Sequence, residues 1–117
     1  MKWNKRQTKQ YKKNMKLDVI IRDDGKCQIC GRPFESIHHV FAGKNRKISD
    51  QHTEFMTCLC YNCHQGTNGV HGKNGHDNDA DLKWRAQQRY EANGHTREEF
   101  IRLIGRSYEP FEEEDYE

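Results

Sequence analysis

Two cysteine pairs bracket the stretch that decides the fold: Cys27-Gln28-Ile29-Cys30 at one end and Leu59-Cys60-Tyr61-Asn62-Cys63-His64 at the other, with Ser36-Ile37-His38-His39-Val40-Phe41 between them. A spacing of two residues lets a tight turn aim both sulfurs of a pair inward. Cys27, Cys30, Cys60 and Cys63 together supply the four thiolates of a closed tetrahedral zinc site. Between Cys30 and Cys60 lie residues 31–59, a longer gap than the roughly 15–20 of a plain zinc ribbon. Something is therefore inserted, and it contains the histidine pair. The fifth cysteine, Cys58, is read as a small buried side chain of a second strand rather than as a ligand.

Composition explains why a staple is needed. The chain has 117 residues, enough for one domain, and only 32% are apolar. Such a chain has a small core and leans on a metal or a cross-link. Charged residues also make up 32%, with a formal net charge of +2, which excludes a uniformly basic, histone-like protein. The longest aliphatic run is Val19-Ile20-Ile21, too short for a membrane span. The lysine-rich beginning has no apolar stretch behind it, so no secretory signal is expected. A reducing compartment follows, with the cysteines on metal rather than in disulfides.

The small net charge hides an asymmetry. Lys2, Lys5, Arg6, Lys9, Lys12, Lys13, Lys16 and Arg22 face a single acid, Asp18, over residues 1–22. Residues 109–117 hold Glu109, Glu112, Glu113, Glu114, Asp115 and Glu117 and no base. The first block reads as a nucleic-acid arm or helix over 1–16, with Trp3 and Tyr11 available for stacking. The second reads as a disordered acidic tail.

Periodicity places the elements. Leu17, Ile20 and Ile21 predict a helix over 14–24 that Gly25 stops. A short strand is expected over 36–41, a polar loop over 42–53 and a second strand over 54–59. Gly66, Gly69, Gly72 and Gly75 exclude a continuous helix over 66–79. A helix capped by Asn78 or Asp79 should run to about Ala92. Thr96-Arg97-Glu98-Glu99 has the form of a capping box that opens a last helix ending at Gly105.

Seven histidines are present. Neighbours on a strand point to opposite faces, so His38 and His39 cannot share one role. One can hold a metal while the other addresses a water. The second knuckle fixes the backbone of His64, and His71 sits in Gly69-Val70-His71-Gly72. His52, His76 and His95 lie outside this arrangement.

The order Cys-x-x-Cys, His-His, Cys-x-x-Cys-His resembles the zinc-stapled HNH (ββα-metal) endonucleases, over about residues 17–72. Within it, His38-His39-Val40-Phe41-Ala42-Gly43-x-Asn45-Arg46-Lys47 and Gly69-Val70-His71-Gly72 are similar to small phage-encoded HNH proteins and to phage recombination-enhancing, recombinase-dependent nucleases. The resemblance implies an α+β fold: a small zinc-stapled ββα core, as a nuclease domain over 17–108, with flanking N- and C-terminal helices. It makes His39 the general base and His38 and His64 ligands of a catalytic divalent metal, with His71 a further ligand or a phosphate contact. The middle Asn of the family falls on Phe55, flanked by Glu54 and Met56. Asp50, Asn45 or a backbone carbonyl would then orient His39, or catalysis is impaired. The substrate implied is DNA, with a phage or host recombination or packaging protein as partner, in the cytoplasm of an infected or lysogenic bacterium.

The expected chemistry is phosphodiester hydrolysis with low sequence specificity, and the resemblance implies 5′-phosphate and 3′-hydroxyl ends. Imidazole ligands favour Mn²⁺, Co²⁺ or Ni²⁺ over Mg²⁺, which prefers oxygen. Lys5, Arg6, Lys9, Lys12, Lys13, Arg46 and Lys47 would hold the phosphate backbone, largely without reading sequence. Two other readings stand beside this one: a zinc-stapled nucleic-acid or adaptor module without activity, and a purely structural zinc domain.

Overall fold

The structure, a computed structural model, describes residues 2–110. The acidic tail from residue 111 onward lies outside the described residues. The elements are α1 (Lys5–Arg22), β1 (Ser36–His39), α2 (Arg46–Ser49), β2 (Met56–Leu59), α3 (Tyr61–Gln65), α4 (His76–Ala92) and α5 (Arg97–Ile104). Single 3₁₀ turns at Gly43–Asn45 and Thr53–Phe55 lead into α2 and β2. The architecture is α+β: helices around a two-stranded sheet, with a cysteine cluster that could hold a metal. No helix among the described residues is long and apolar enough to cross a membrane.

The first helix starts well before residue 14. Asn4 and Gln7 form a reciprocal capping box: each side-chain oxygen accepts the other's backbone N–H at 2.9 Å. Behind that cap, the lysines and glutamines of residues 5–14 are good helix formers. The basic block and the apolar segment are therefore one helix, continuous across residue 16. It ends at Arg22, before Gly25, because Asp24 and Gly25 both take the left-handed conformation (φ 56° and 63°) and the Gly25 N–H bonds Ile20 O at 2.9 Å.

β1 and β2 pair antiparallel, with Ser36 opposite Leu59, Ile37 opposite Cys58, His38 opposite Thr57 and His39 opposite Met56. Each strand is four residues long, shorter than the runs expected over 36–41 and 54–59. The Thr53–Phe55 turn occupies the start of the second run. The expected loop over 42–53 instead holds two short helical pieces, closed by Ser49. Its hydroxyl donates to Phe41 O at 2.8 Å and accepts from Phe41 N at 3.2 Å.

The register divides the sheet into two faces. Ile37, Cys58 and Met56 meet Met15 and Val19 of α1 on one side. On the other, Leu59 joins Phe41, Phe55, Leu82, Ala86, Tyr90, Phe100 and Ile104. Phe55 is the hub of that core, edge-on to Phe41 (5.1 Å, 88°) and against Tyr90 and Phe100. Buried there, it cannot orient a base.

Buried charge ties the helices to the sheet. Asp23 accepts from Cys58 N at 2.9 Å and from Arg22 Nε at 2.9 Å. Arg89 donates twice to Glu54 O, at 3.1 and 2.8 Å, and burial lowers its pKa to about 10. α4 starts at His76 behind Gly75, one turn before Asn78 or Asp79. Asp77 and Asp79 fall in its first turn, where acids favour the helix dipole. The Thr96–Glu99 capping box opens α5, and Gly105 (φ 115°) ends it, as the sequence predicts.

Candidate functional site

The four knuckle cysteines converge. Their sulfurs all lie within 4.8 Å of one another, and Cys30 Sγ is 3.6 Å from Cys60 Sγ. A tetrahedron with bonds of about 2.3 Å has sulfurs about 3.8 Å apart, so the set fits a structural ion such as zinc. The first knuckle is closed by Cys27 N donating to Arg32 O (2.7 Å) and is tied to β2 by Gln28 N donating to Cys58 O (3.0 Å). Burial opposes ionisation of Cys27, but the backbone N–H groups of Cys30, Cys60 and Ile29 outweigh it and lower its pKa to about 6. Burial and the neighbouring thiols raise that of Cys63. Four crowded sulfurs cannot all ionise without a cation among them. Cys58 is not one of them: it is fully buried in β2, and burial with the Asp23 charge pushes its thiol up to about 11.

A second cluster is built of imidazoles. His38 comes from β1, His64 from α3 and His71 from the glycine-rich loop. One ring nitrogen of each lies within 4.8 Å of the others, and the ring centroids are 4.6 to 5.1 Å apart. Three facts suit it to a metal. His38 is only 4% exposed, yet its Nε2 is buried with no hydrogen-bond partner. Thr57, its cross-strand neighbour, has an equally unpartnered hydroxyl. Ser36 Oγ lies 3.1 Å from His64 Nδ1, which leaves Nε2 of that ring for an ion. Burial, then the other two imidazoles, brings the His38 pKa down to about 3; burial and His71 lower that of His64. Both rings are neutral near pH 7, as ligands must be.

The glycines explain how His71 arrives there. Gly69, Gly72 and Gly75 each donate a backbone N–H to the glycine three residues earlier, at 2.9, 2.8 and 3.2 Å. The loop coils so tightly that a Cβ on Gly72 would overlap Gly66 O, and one on Gly75 would overlap Gly69 O. Coiled this way, it lets Val70 N reach Cys63 O (2.9 Å) and His71 N reach His64 O (3.0 Å).

His39 faces the other side of β1. Its Nε2 lies 2.7 Å from Asp50 Oδ1. Asn45 does not approach it; Asn45 Nδ2 donates to Ile104 O at 3.1 Å. Burial and the Arg46 charge lower the His39 pKa against the pull of Asp50, so the ring is neutral near pH 7. The ring opens onto a cavity of about 220 Å³ lined by Lys12, Met15, Lys16, Arg46, Asp50 and Met56.

The basic residues divide into groups. Lys5, Lys9, Lys12 and Lys13 line an open groove along α1 with Trp3, Thr8 and Lys16. Arg6 is exposed on the same helix. Lys47 borders a smaller recess with Tyr11, Lys12 and Asp50. Trp3 and Tyr11 are both exposed and touch edge to face at 4.8 Å. Among the bystander histidines, His95 stacks on Tyr90 (4.0 Å, 5°), His52 packs beside Phe55 and Tyr90, and His76 opens α4.

One residue of the site escaped the sequence reading: Ser36 stands two positions before His38, on the same face of a strand, so a period of two marks it. Lys16, part of the basic block, lies one helical turn after Lys12, a relation visible once α1 is one helix. Searched against known protein families, curated proteins and solved structures, the chain matches none of them.

Proposed function

We propose that the protein is a metal-dependent DNA endonuclease of the HNH type. One observation carries this reading. Three imidazoles bring a ring nitrogen each within 4.8 Å of one another, one of them, His38, has a buried and unpartnered Nε2, and the next residue on the strand is a neutral histidine paired with a carboxylate. A structural histidine cluster needs no such neighbour.

His38, His64 and His71 would hold the divalent ion, which as a Lewis acid would stabilise charge on a phosphate oxygen and on the leaving oxygen. His39 does the proton work. Asp50 holds the proton on Nε2, so Nδ1 keeps its lone pair and can accept a proton from the attacking water. The Asp50 charge then stabilises the imidazolium that results. Asp50 thus fills the orienting role of the absent middle Asn. Among the described residues β1 has a sheet neighbour on one side only, so its outer edge leaves room for a phosphate backbone to approach.

The zinc-loaded protein should nick supercoiled plasmid with Mn²⁺, Co²⁺ or Ni²⁺ and more slowly with Mg²⁺, whereas His39→Ala should lose about 10²–10⁴-fold in rate. Equal cutting by wild type and His39→Ala would sink the assignment of the base. No cutting with any of these ions, with both metal sites filled, would favour the binding module, the reading that Phe55 at the middle-Asn position supports.

A further inference from the structure

The cavity beside His39 carries more positive charge than proton transfer needs. Lys12, Lys16 and Arg46 line it against one acid, Asp50, whose Oδ1 is engaged with His39. Neither Lys12 nor Lys16 forms an ion pair among the described residues, and Arg46 stands 3.9 Å from Asp50. The three cations come from two elements, α1 and α2, so no single helix repeat explains their meeting. Like charges gathered at one opening repel one another, and an anion between them removes that repulsion. Two ammonium groups and a guanidinium at a mouth floored by Met15 and Met56 suit a tetrahedral oxyanion of phosphate size.

We propose that this cavity is a phosphate subsite, separate from the histidine triad, where Lys16, with Lys12 and Arg46, seats a phosphodiester of a nucleic-acid strand against His39. The proposal rests on the nuclease reading for the identity of the anion. The subsite is not isolated. Lys12 and Lys16 also line the open groove that runs along α1 past Lys9 and Lys5 to Trp3. Lys5 to Lys16 spans about 16 Å of helix. The substrate class is therefore a strand that continues several phosphates beyond the seated one, rather than a mononucleotide.

Met15 and Met56 report on the subsite directly. The zinc-loaded full chain, labelled with ¹³C at its methionine methyls, is titrated with inorganic phosphate and then with a 12-nucleotide DNA strand, with no second metal added. The Met15 and Met56 signals should shift saturably with both probes, and DNA should bind at least tenfold more tightly than phosphate. Lys16→Gln, at an exposed helix position, should weaken phosphate binding several-fold. It should also reduce the slope of log affinity against log salt for the DNA strand by about 0.7. Arg102→Gln on α5 should change neither. Silent methionines, or shifts unchanged in Lys16→Gln, overturn the subsite. Phosphate-dependent shifts in a protein that cuts no plasmid keep the subsite and remove the nuclease. Plasmid cutting that Lys16→Gln leaves untouched, with silent methionines, does the reverse.

Discussion

The cysteine cluster and the histidine cluster are metal-type sites built on opposite plans. The first has four cysteine sulfurs from two knuckles, two of them fully buried or nearly so, and their spacing could hold a structural ion such as zinc. The second has three imidazoles, one buried, one half-buried and one exposed. A set of three, were it to hold an ion, would leave coordination positions open, which is the difference between sites that hold a fold and sites that meet a substrate. The contrast extends to their surroundings. The thiolate set ties the first knuckle to the second across β2, where the core begins. The imidazole set lies between a short strand, a short helix and a glycine coil, with its rings packed against one another and Ser36 beside His64. Losing an ion should therefore have unequal consequences at the two sites.

The largest effect is expected at the cysteines. Structural zinc contributes an apparent free energy of about 10–16 kcal/mol at neutral pH, as much as the whole stability of an ordinary domain, about 5–15 kcal/mol. Chelation, or Cys60→Ser, should abolish cooperative unfolding in circular dichroism and release one zinc per chain. A chelated protein with a native-like melting curve would show that the sulfurs are not stapled by metal. Next in size is His38→Ala. It should remove binding of a second divalent ion, seen by isothermal titration calorimetry with Mn²⁺, while the zinc content and the fold persist. Collapse of the fold in that variant would make the two clusters alike and end the contrast.

How legible each cluster was follows from how local its signal is. Both knuckles announce themselves within four residues, and His38-His39 within two. The last helix is written in its caps, Thr96 with Glu99 and the stop at Gly105, whereas α4 starts a turn before the Asn78 or Asp79 cap that the sequence suggests. The start of α1 is also local, in Asn4 and Gln7, but a run of lysines masks it by reading as an arm. What stayed hidden depends on tertiary approach. The choice of Asp50 over Asn45, both candidates in the sequence, is one case: Asp50 reaches His39 because the expected loop folds into α2, eleven residues along the chain. Arg89 and Asp23 are charged residues whose buried partners are backbone groups 35 residues away, and no periodicity marks such pairs. The four glycines exclude a helix by composition, yet only the coil shows why they recur every three residues.

That coil makes a third, intermediate test. Gly72→Ala places a methyl group into Gly66 O, so the loop must open where it carries His71. The effect should resemble a partial His71→Ala: weaker Mn²⁺ binding by about tenfold or more, as for lost ligand support, with the zinc staple and α4 intact. An alanine accepted there without loss of the second metal would mean that His71 is dispensable, and the cluster a pair rather than a triad.

The last prediction is the most discriminating, because it touches a residue that binds no metal. Ser36 holds His64 by Nδ1, two residues before His38 on the same face of β1. If the second cluster is a metal centre, that hydroxyl fixes the ring's orientation and directs Nε2 inward. Such outer partners alter affinity by about 10–100-fold. Ser36→Ala should therefore weaken Mn²⁺ binding by a factor in that range and leave zinc content and melting temperature essentially unchanged. Ser36→Thr, which keeps the oxygen and suits a strand, should recover most of it. If the three imidazoles merely pack together, Ser36→Ala would instead shift stability alone, by about 1 kcal/mol for a lost hydrogen bond, with no metal term to restore. Measuring both quantities on the one pair of variants separates an open metal centre from a packed cluster without depending on whether DNA is ever cut.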